Sequence, residues 1–327
     1  GSNGLLSITD NLKNIINKDF WLMLFDIFKF YSRAANFIKE KNNEDIPLDS
    51  FLKTNRFNKS IINNHIVPMC GAIWSTSSEK VLKMPARYIL LFLDNHGLLS
   101  FYRKPQWRTI SKGSINYVKK LESKITGKVF KNEKVFKVER NKKKIKVHSK
   151  NFKRTYDKVV FAIHADEVLK LLEKPTKMER VIFEQYEYEE NKIYIHQDDR
   201  FMPKNKNIWS SWNVILNNIT NLNNKKICVT YWINKLQNLN TKDPILVTLN
   251  PSAKPIIDNR KMLDKITLKH PLLKKNHYSL SAMVNKIQGK NLTYFTGAWL
   301  GYGFHEDGVK SSIKIAKLLN TGVKNCK

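Results

Sequence analysis

The 327-residue sequence predicts an α/β fold with α+β elements. Three observations predict it. Residues 156–163 (YDKVVFAI) hold a short apolar run of the kind found in strands buried on both faces of a parallel sheet. Residues 292–319 read as a strand, a glycine-punctuated loop and a helix. Residues 186–270 are strand-rich and broken by Asn- and Pro-rich turns, the pattern of an antiparallel sheet.

The elements follow in order. Residues 9–100 read as helices, with Thr9 and Asp10 offering an N-cap and apolar positions recurring at helical spacing through Ile38. Asp49 or Ser50 suits the cap of a short helix holding Phe51 and Leu52. Two further helices are predicted at 61–74 and 80–93, with Pro68 and Pro85 kinking or starting them and Gly97 ending the last. Gly113 and Ser114 precede a helix at 115–125. Strands at 129–131, 134–139 and 144–148, with a turn at Asn141, predict a small meander. The buried strand at 156–163 comes next, then helices at 166–172 and 176–185. Strands are expected at 187–197, 208–214, 227–232, 245–249 and 265–269, and helices at 277–287 and 309–319 flank a strand at 292–296. The predicted division is a helical part at 1–100, a ligand-binding middle segment at 101–172, an antiparallel-sheet part at 173–287 and a closing ligand-binding segment at 288–327.

Composition limits the function classes. Lys and Arg number 58 against 28 Asp and Glu, a net charge of +30. The lysines are spread along the chain and mixed with Asn and Ile, as an AT-rich coding sequence would give. Arg-rich runs, zinc spacings and a recognition-helix pattern are lacking, so the charge reads as a solvated surface and not as a nucleic-acid footprint. Cys70, Cys228 and Cys326 form no CxxC pair, and no His pair shows ligand spacing, so no metal is expected and a reduced, cytoplasmic setting is the simplest reading. The longest apolar run, residues 20–31 (FWLMLFDIFKFY), is interrupted by Asp26 and Lys29. It predicts a buried amphipathic helix, with a helix lying on a membrane surface as the alternative. The chain opens on Gly1 and Ser2 with no initiator Met and no signal peptide, which reads as an added pair or as a fragment.

The segment TYFTGAWLGYGFHEDGVKSSIKIAKLL carries the most chemistry. Glycines at 297, 301, 303 and 308 let backbone approach a ligand closely, and the following helix offers N–H groups and a partial positive charge. A tight turn that needs glycine is the plain alternative. Trp299, Tyr302, Phe304 and His305 suit the walls of an apolar pocket or ordinary packing. His305 and Glu306 are adjacent titratable groups and so candidate proton acceptors. Arg108, beside Trp107, suits a phosphate, an acidic substrate group or a salt bridge.

This segment resembles the closing flavin motif of the flavin amine oxidase superfamily. In the form GAWLGYGFHEDGVKS it is similar to a bacterial group of NAD/FAD-binding, amine-oxidase-like oxidoreductases associated with cyclopropane-fatty-acyl-phospholipid synthase. Residues 67–76 (VPMCGAIWST), 95–99 (NHGLL), 105–109 (PQWRT), 162–166 (AIHAD), 229–234 (VTYWIN) and 248–251 (TLNP) look like the same group in the same order. The resemblance implies FAD as cofactor and a Rossmann-like FAD-binding domain beside a mixed helical and antiparallel-sheet substrate domain. That family begins with a strand, GxGxxG and a helix, and no such segment is present, so the Rossmann-like domain is expected to lack its first βαβ unit. The resemblance places Val135 against adenine, Ala162 at the cofactor crevice with His164 near it, and Gly297, Ala298, Glu306, Asp307 and Gly308 against the flavin. Trp107, Arg108, Trp299, Tyr302 and Phe304 then face substrate, and His305 and Glu306 handle protons. The implied reaction is hydride transfer from an apolar substrate, fatty-acyl or phospholipid, with peripheral contact to the inner membrane. An amine oxidase proper and a truncated, non-catalytic basic binding fragment are the alternatives.

Overall fold

The structure is a computed structural model that describes residues 16–40, 46–100, 106, 108–214, 227–251, 255–272 and 277–320. Thr9, Asp10, Pro105, Trp107 and Cys326 lie outside the described residues. The chain divides into two compact units, one of residues 1–124 with 189–270 and the other of residues 125–188 with 271–327.

The first unit opens on helix α1 (Lys18–Lys39), capped by the Asn17 side chain, which accepts from the Asp19 N–H at 2.9 Å. Its far end is closed by Arg87, which donates to the Phe37, Ile38 and Glu40 carbonyls. One side of α1 buries Ile27, Phe30 and Ala34. Phe30 meets the edges of Phe51 and Phe57, a geometry that the ring quadrupoles favour. The two polar residues that interrupt the apolar run are both used. Asp26 is buried and accepts from the Asn58 backbone and side chain at 3.0 and 2.7 Å, and Lys29 donates to the Arg56 carbonyl.

Helix α2 (Leu48–Thr54) follows, then a π turn at Ile62–Ile66 running into α3 (Val67–Trp74). The predicted helix at 80–93 is two helices, α4 (Ser78–Lys83) and α5 (Ala86–Asn95), because Pro85 holds Met84 in extended backbone. Helix α6 (Ile115–Glu122) buries none of its residues.

In the second unit, β1 (Val135–Arg140), β2 (Ile145–Ser149) and β3 (Lys153–Tyr156) form an antiparallel meander. Asn141 makes the β1–β2 turn, its side chain accepting from the Lys143 and Lys144 N–H groups. The strand expected at 129–131 is absent, and the meander's third strand is an unpredicted one of which only Tyr156 falls in the expected 156–163 run. A bend at Asp157 separates that strand from β4 (Val159–Phe161). Helices α7 (Ala165–Leu171) and α8 (Lys177–Phe183) follow. Thr176 and Glu179 form a reciprocal capping box at the start of α8. Buried Arg140 forks onto the Glu179 carboxylate at 2.6 and 2.8 Å, joining β1 to α8.

The chain then builds a five-stranded sheet from β5 (Tyr188–His196), β6 (Trp212–Val214), β7 (Val229–Trp232), β8 (Leu246–Leu249) and β9 (Met262–Pro271), in the order β6-β7-β8-β5-β9. Short helix α9 (Ile233–Gln237) leaves β7. Adjacent pairs β6–β7, β7–β8 and β8–β5 are antiparallel, as the alternation predicts. A buried polar chain crosses this sheet: His196 Nε2 to Thr248 Oγ1 at 2.7 Å, and Thr248 to Thr230 at 2.8 Å. The second unit closes with α10 (His277–Ile287), β10 (Thr293–Phe295) and α11 (His305–Leu318). β10 runs parallel to β4, pairing Phe295 with Phe161. Their core includes Phe161, Val168, Phe183, Val284, Phe295 and Trp299.

Candidate functional site

The C-terminal ends of β4 and β10 lie side by side, tied on by the Thr296 N–H donating to the Phe161 carbonyl at 2.9 Å. Ligands in α/β folds bind beyond that end of a parallel pair. There, β4 leads into Ala162, Ile163 and His164, and β10 leads into Gly297 and Ala298. Gly297 has φ 159° and ψ 162°, a region that only glycine populates readily, and a Cβ there would run into the Trp299 indole. Helix α11 starts at His305, one turn earlier than the predicted 309. Glu306, Asp307 and Gly308 therefore stand in its first turn and not in the loop.

Hydrogen bonds within the segment fix this geometry. Ser311 accepts from the Gly297 N–H at 3.1 Å and is 2.8 Å from both the Gly308 carbonyl and Thr296 Oγ1. Those bonds hold the first turn of α11 against the end of β10. The Asp307 carboxylate accepts from the Tyr302 and Phe304 N–H groups, each at 3.0 Å. Because Phe304 has no side-chain acceptor, Asp307 reaching back supplies the cap. From α10, His277 Nε2 donates to the Gly301 carbonyl at 2.8 Å and Ser281 donates to that of Leu300 at 3.1 Å. Burial holds His277 below the ordinary histidine range, so the ring is neutral with its proton on Nε2. Thr296, Ser311, His277 and Ser281 escaped sequence reasoning. The serine at a helical step beyond Gly308 was the one available signal.

The predicted site residues separate into groups. Ala162, Gly297, Ala298 and Gly308 converge. A Cβ built on Gly308 would lie 3.8 Å from the Ala298 N and meet nothing closer, so the first turn of α11 sits against the backbone that leaves β10. Asp307 takes part in the loop's internal bonding through Oδ2, which accepts from both backbone N–H groups. Trp299 is buried, not an open wall. Its Nε1 donates to the Ile163 carbonyl at 3.0 Å, and its ring packs edge-on against Tyr186 and Phe183. His305 and Glu306 are exposed, and Glu306 pairs with Lys310 at 3.6 Å along the helix. A proton acceptor for buried chemistry needs shelter that neither has. Tyr302 is half-buried and Phe304 exposed at the rim. His164 is exposed and stacks on Tyr188 at 4.6 Å. Val135 opens β1, beside a bulge in its pairing with β2. Arg108 is exposed in the first unit.

The electrostatics favour a polar but uncharged acceptor. Two acids, Glu306 and Asp307, occupy the first turn of α11 and offset the positive end of the helix. A phosphate there would meet repulsion, whereas a ring carbonyl would not. A polar cavity of about 150 Å³ lies between α10 and α11, bordered by Asn285, Gln288, Asp307, Lys310 and Lys314. It falls short of the roughly 300 Å³ at which ligand pockets begin. Among the described residues no cluster of His, Cys, Asp and Glu is fit to hold a metal.

No protein-family profile and no curated protein matches the sequence. Solved structures match its fold. A CLA-producing fatty acid isomerase from P. acnes superposes with a TM-score of 0.65 at 14% identity, over 93% of this chain and 75% of that one. Putrescine oxidase bound to putrescine gives 0.60 at 10% identity, over 93% and 76%. Cyclohexylamine oxidase from Brevibacterium oxydans IH-35A gives 0.59 at 10% identity, over 91% and 75%. The chain therefore has the mixed helix-and-sheet fold that these two oxidases and this isomerase share.

Proposed function

We propose that the protein is an FAD-dependent oxidoreductase acting on an apolar, fatty-acyl substrate. The observation that carries this reading is the close approach of the first turn of α11, at Gly308, to the Ala298 backbone N beyond the ends of two parallel strands. The likeness in fold to a fatty acid isomerase supports the acyl substrate, and the two oxidases make amines the competing class. The parallel pair β4–β10, with helices α7 and α11 leaving its C-terminal ends, is read as part of a Rossmann-like sheet.

In this reading, Gly297, Ala298, Gly308 and the first turn of α11 would hold the flavin of FAD through their backbone. Bound FAD supplies the two-electron chemistry by accepting a hydride from the substrate. The protein's part is position: Ser311 and Asp307 hold the cradle before any ligand arrives, and Trp299 locks the loop to the end of β4.

Titration of the purified protein with FAD tests this. Binding should appear as a perturbed flavin absorbance, and Gly308→Val should weaken it by about tenfold or more while leaving the circular dichroism unchanged. A protein that takes up no FAD, or a Gly308→Val variant that binds it normally, overturns the assignment. Bleaching of the bound flavin by acyl lipids but not by amines under anaerobic conditions would settle the substrate class.

A further inference from the structure

We propose that the first unit docks on an anionic phospholipid surface through the outer faces of α1 and α6. Three sets of observations point there, and none depends on the flavin reading.

The first is the outer side of α1. Opposite its buried stripe it exposes Trp21 (55%), Leu22 (40%), Phe25 (70%) and Phe28 (59%). Their spacing of one, four and seven residues puts all four on one side of the helix, over a length of about 10 Å. Leaving such large apolar groups together in water is unfavourable by about 25 cal/mol per Å². Lys18 stands in the first turn beside this patch, and Arg33 and Lys39 continue the same side. Asp19 is the acid of that first turn.

The second is α6. Ile115 (56%), Val118 (44%) and Leu121 (60%) recur every three residues and are exposed. Lys119 and Lys124 stand on either side of the row, Lys120 opposite it, and Glu122, the helix's acid, directly beside it. A short helix owes most of its stability to packing an apolar face, and α6 buries no residue. An apolar face edged by lysine is the composition of a helix that lies in a bilayer interface, and tryptophan favours that depth.

The third is charge. A chain of net charge +30 is attracted to anionic lipid and repelled by a second copy of itself, which selects the membrane over self-association. Among the described residues no helix is long and apolar enough to cross a membrane, so the contact is a surface one.

The test uses the whole protein with vesicles of phosphatidylcholine alone and of phosphatidylcholine mixed with phosphatidylglycerol. Co-sedimentation should be at least about tenfold stronger with phosphatidylglycerol and should weaken as salt rises. The double variants Phe25→Ser/Phe28→Ser and Ile115→Ser/Val118→Ser change exposed residues only. Each should lower binding by about tenfold while leaving the thermal transition in place. Equal binding to both vesicles, double variants that bind like the parent, or a stable dimer in sedimentation that the Phe variants dissociate would each overturn the proposal. FAD uptake is measured separately, so failure on vesicles leaves the cofactor assignment standing.

Discussion

Trp299 shows how one residue can be read correctly as important and wrongly as to purpose. An aromatic in a glycine-rich loop suggests a pocket wall. Here its indole N–H is spent on the Ile163 carbonyl and its ring on Phe183 and Tyr186. Replacing Trp299 with Ala should destabilise the second unit by about 3–5 kcal/mol, seen as a lower urea midpoint, with Phe recovering part of the packing but not the hydrogen bond. Gly297 was legible because the need for its backbone conformation is local. Trp299 was not, because what it touches is 136 residues away in sequence. Ser311 was missed for a related reason: its three bonds exist only once the strand end and the helix start are brought together.

At the level of elements, periodicity located most helices and strands but misplaced their ends. Gly308 looks like a helix breaker, so the last helix was expected to begin after it. The capping bonds from Asp307 move the start back to His305. The run at 156–163 was read as one strand, yet the bend at Asp157 leaves Tyr156 to the meander and Val159–Phe161 to the parallel pair. The join between β1 and α8 rests on a forked, buried ion pair. Arg140→Met should cost about 3–5 kcal/mol in equilibrium unfolding, because it strands the Glu179 charge. A double replacement of Arg140 and Glu179 by apolar residues should recover much of that loss. If the single variant unfolds like the parent, the pair contributes nothing to the join.

For the whole molecule, buried histidines set the response to acid. Burial pushes His65 and His196 down to about 4, well under the usual histidine range. The His65 Nε2 has no hydrogen-bond partner among the described residues, and His196 sits inside the polar chain of the five-stranded sheet. In the unfolded chain both titrate near 6.5, so between about pH 6.5 and 4 the unfolded state binds more protons. Stability is therefore complete above that window and falls as pH drops through it. At about pH 5 the loss should reach roughly 1–2 kcal/mol per histidine. Glu179, held below its ordinary range by Arg140 and the Thr176 N–H against the cost of burial, adds to the decline at lower pH. Urea midpoints at about pH 7.5 and 5 check this, and His196→Gln should flatten the slope. Each of the two units is assembled from two separate stretches of chain.

The bonds that shape the bend between β10 and α11 link residues no more than sixteen positions apart, apart from those reaching in from α10 and β4. A guest entering this bend finds its host already in form. Little of the recognition energy then goes into freezing loose chain, so affinity should track the fit of the guest more than its power to reorganise the host.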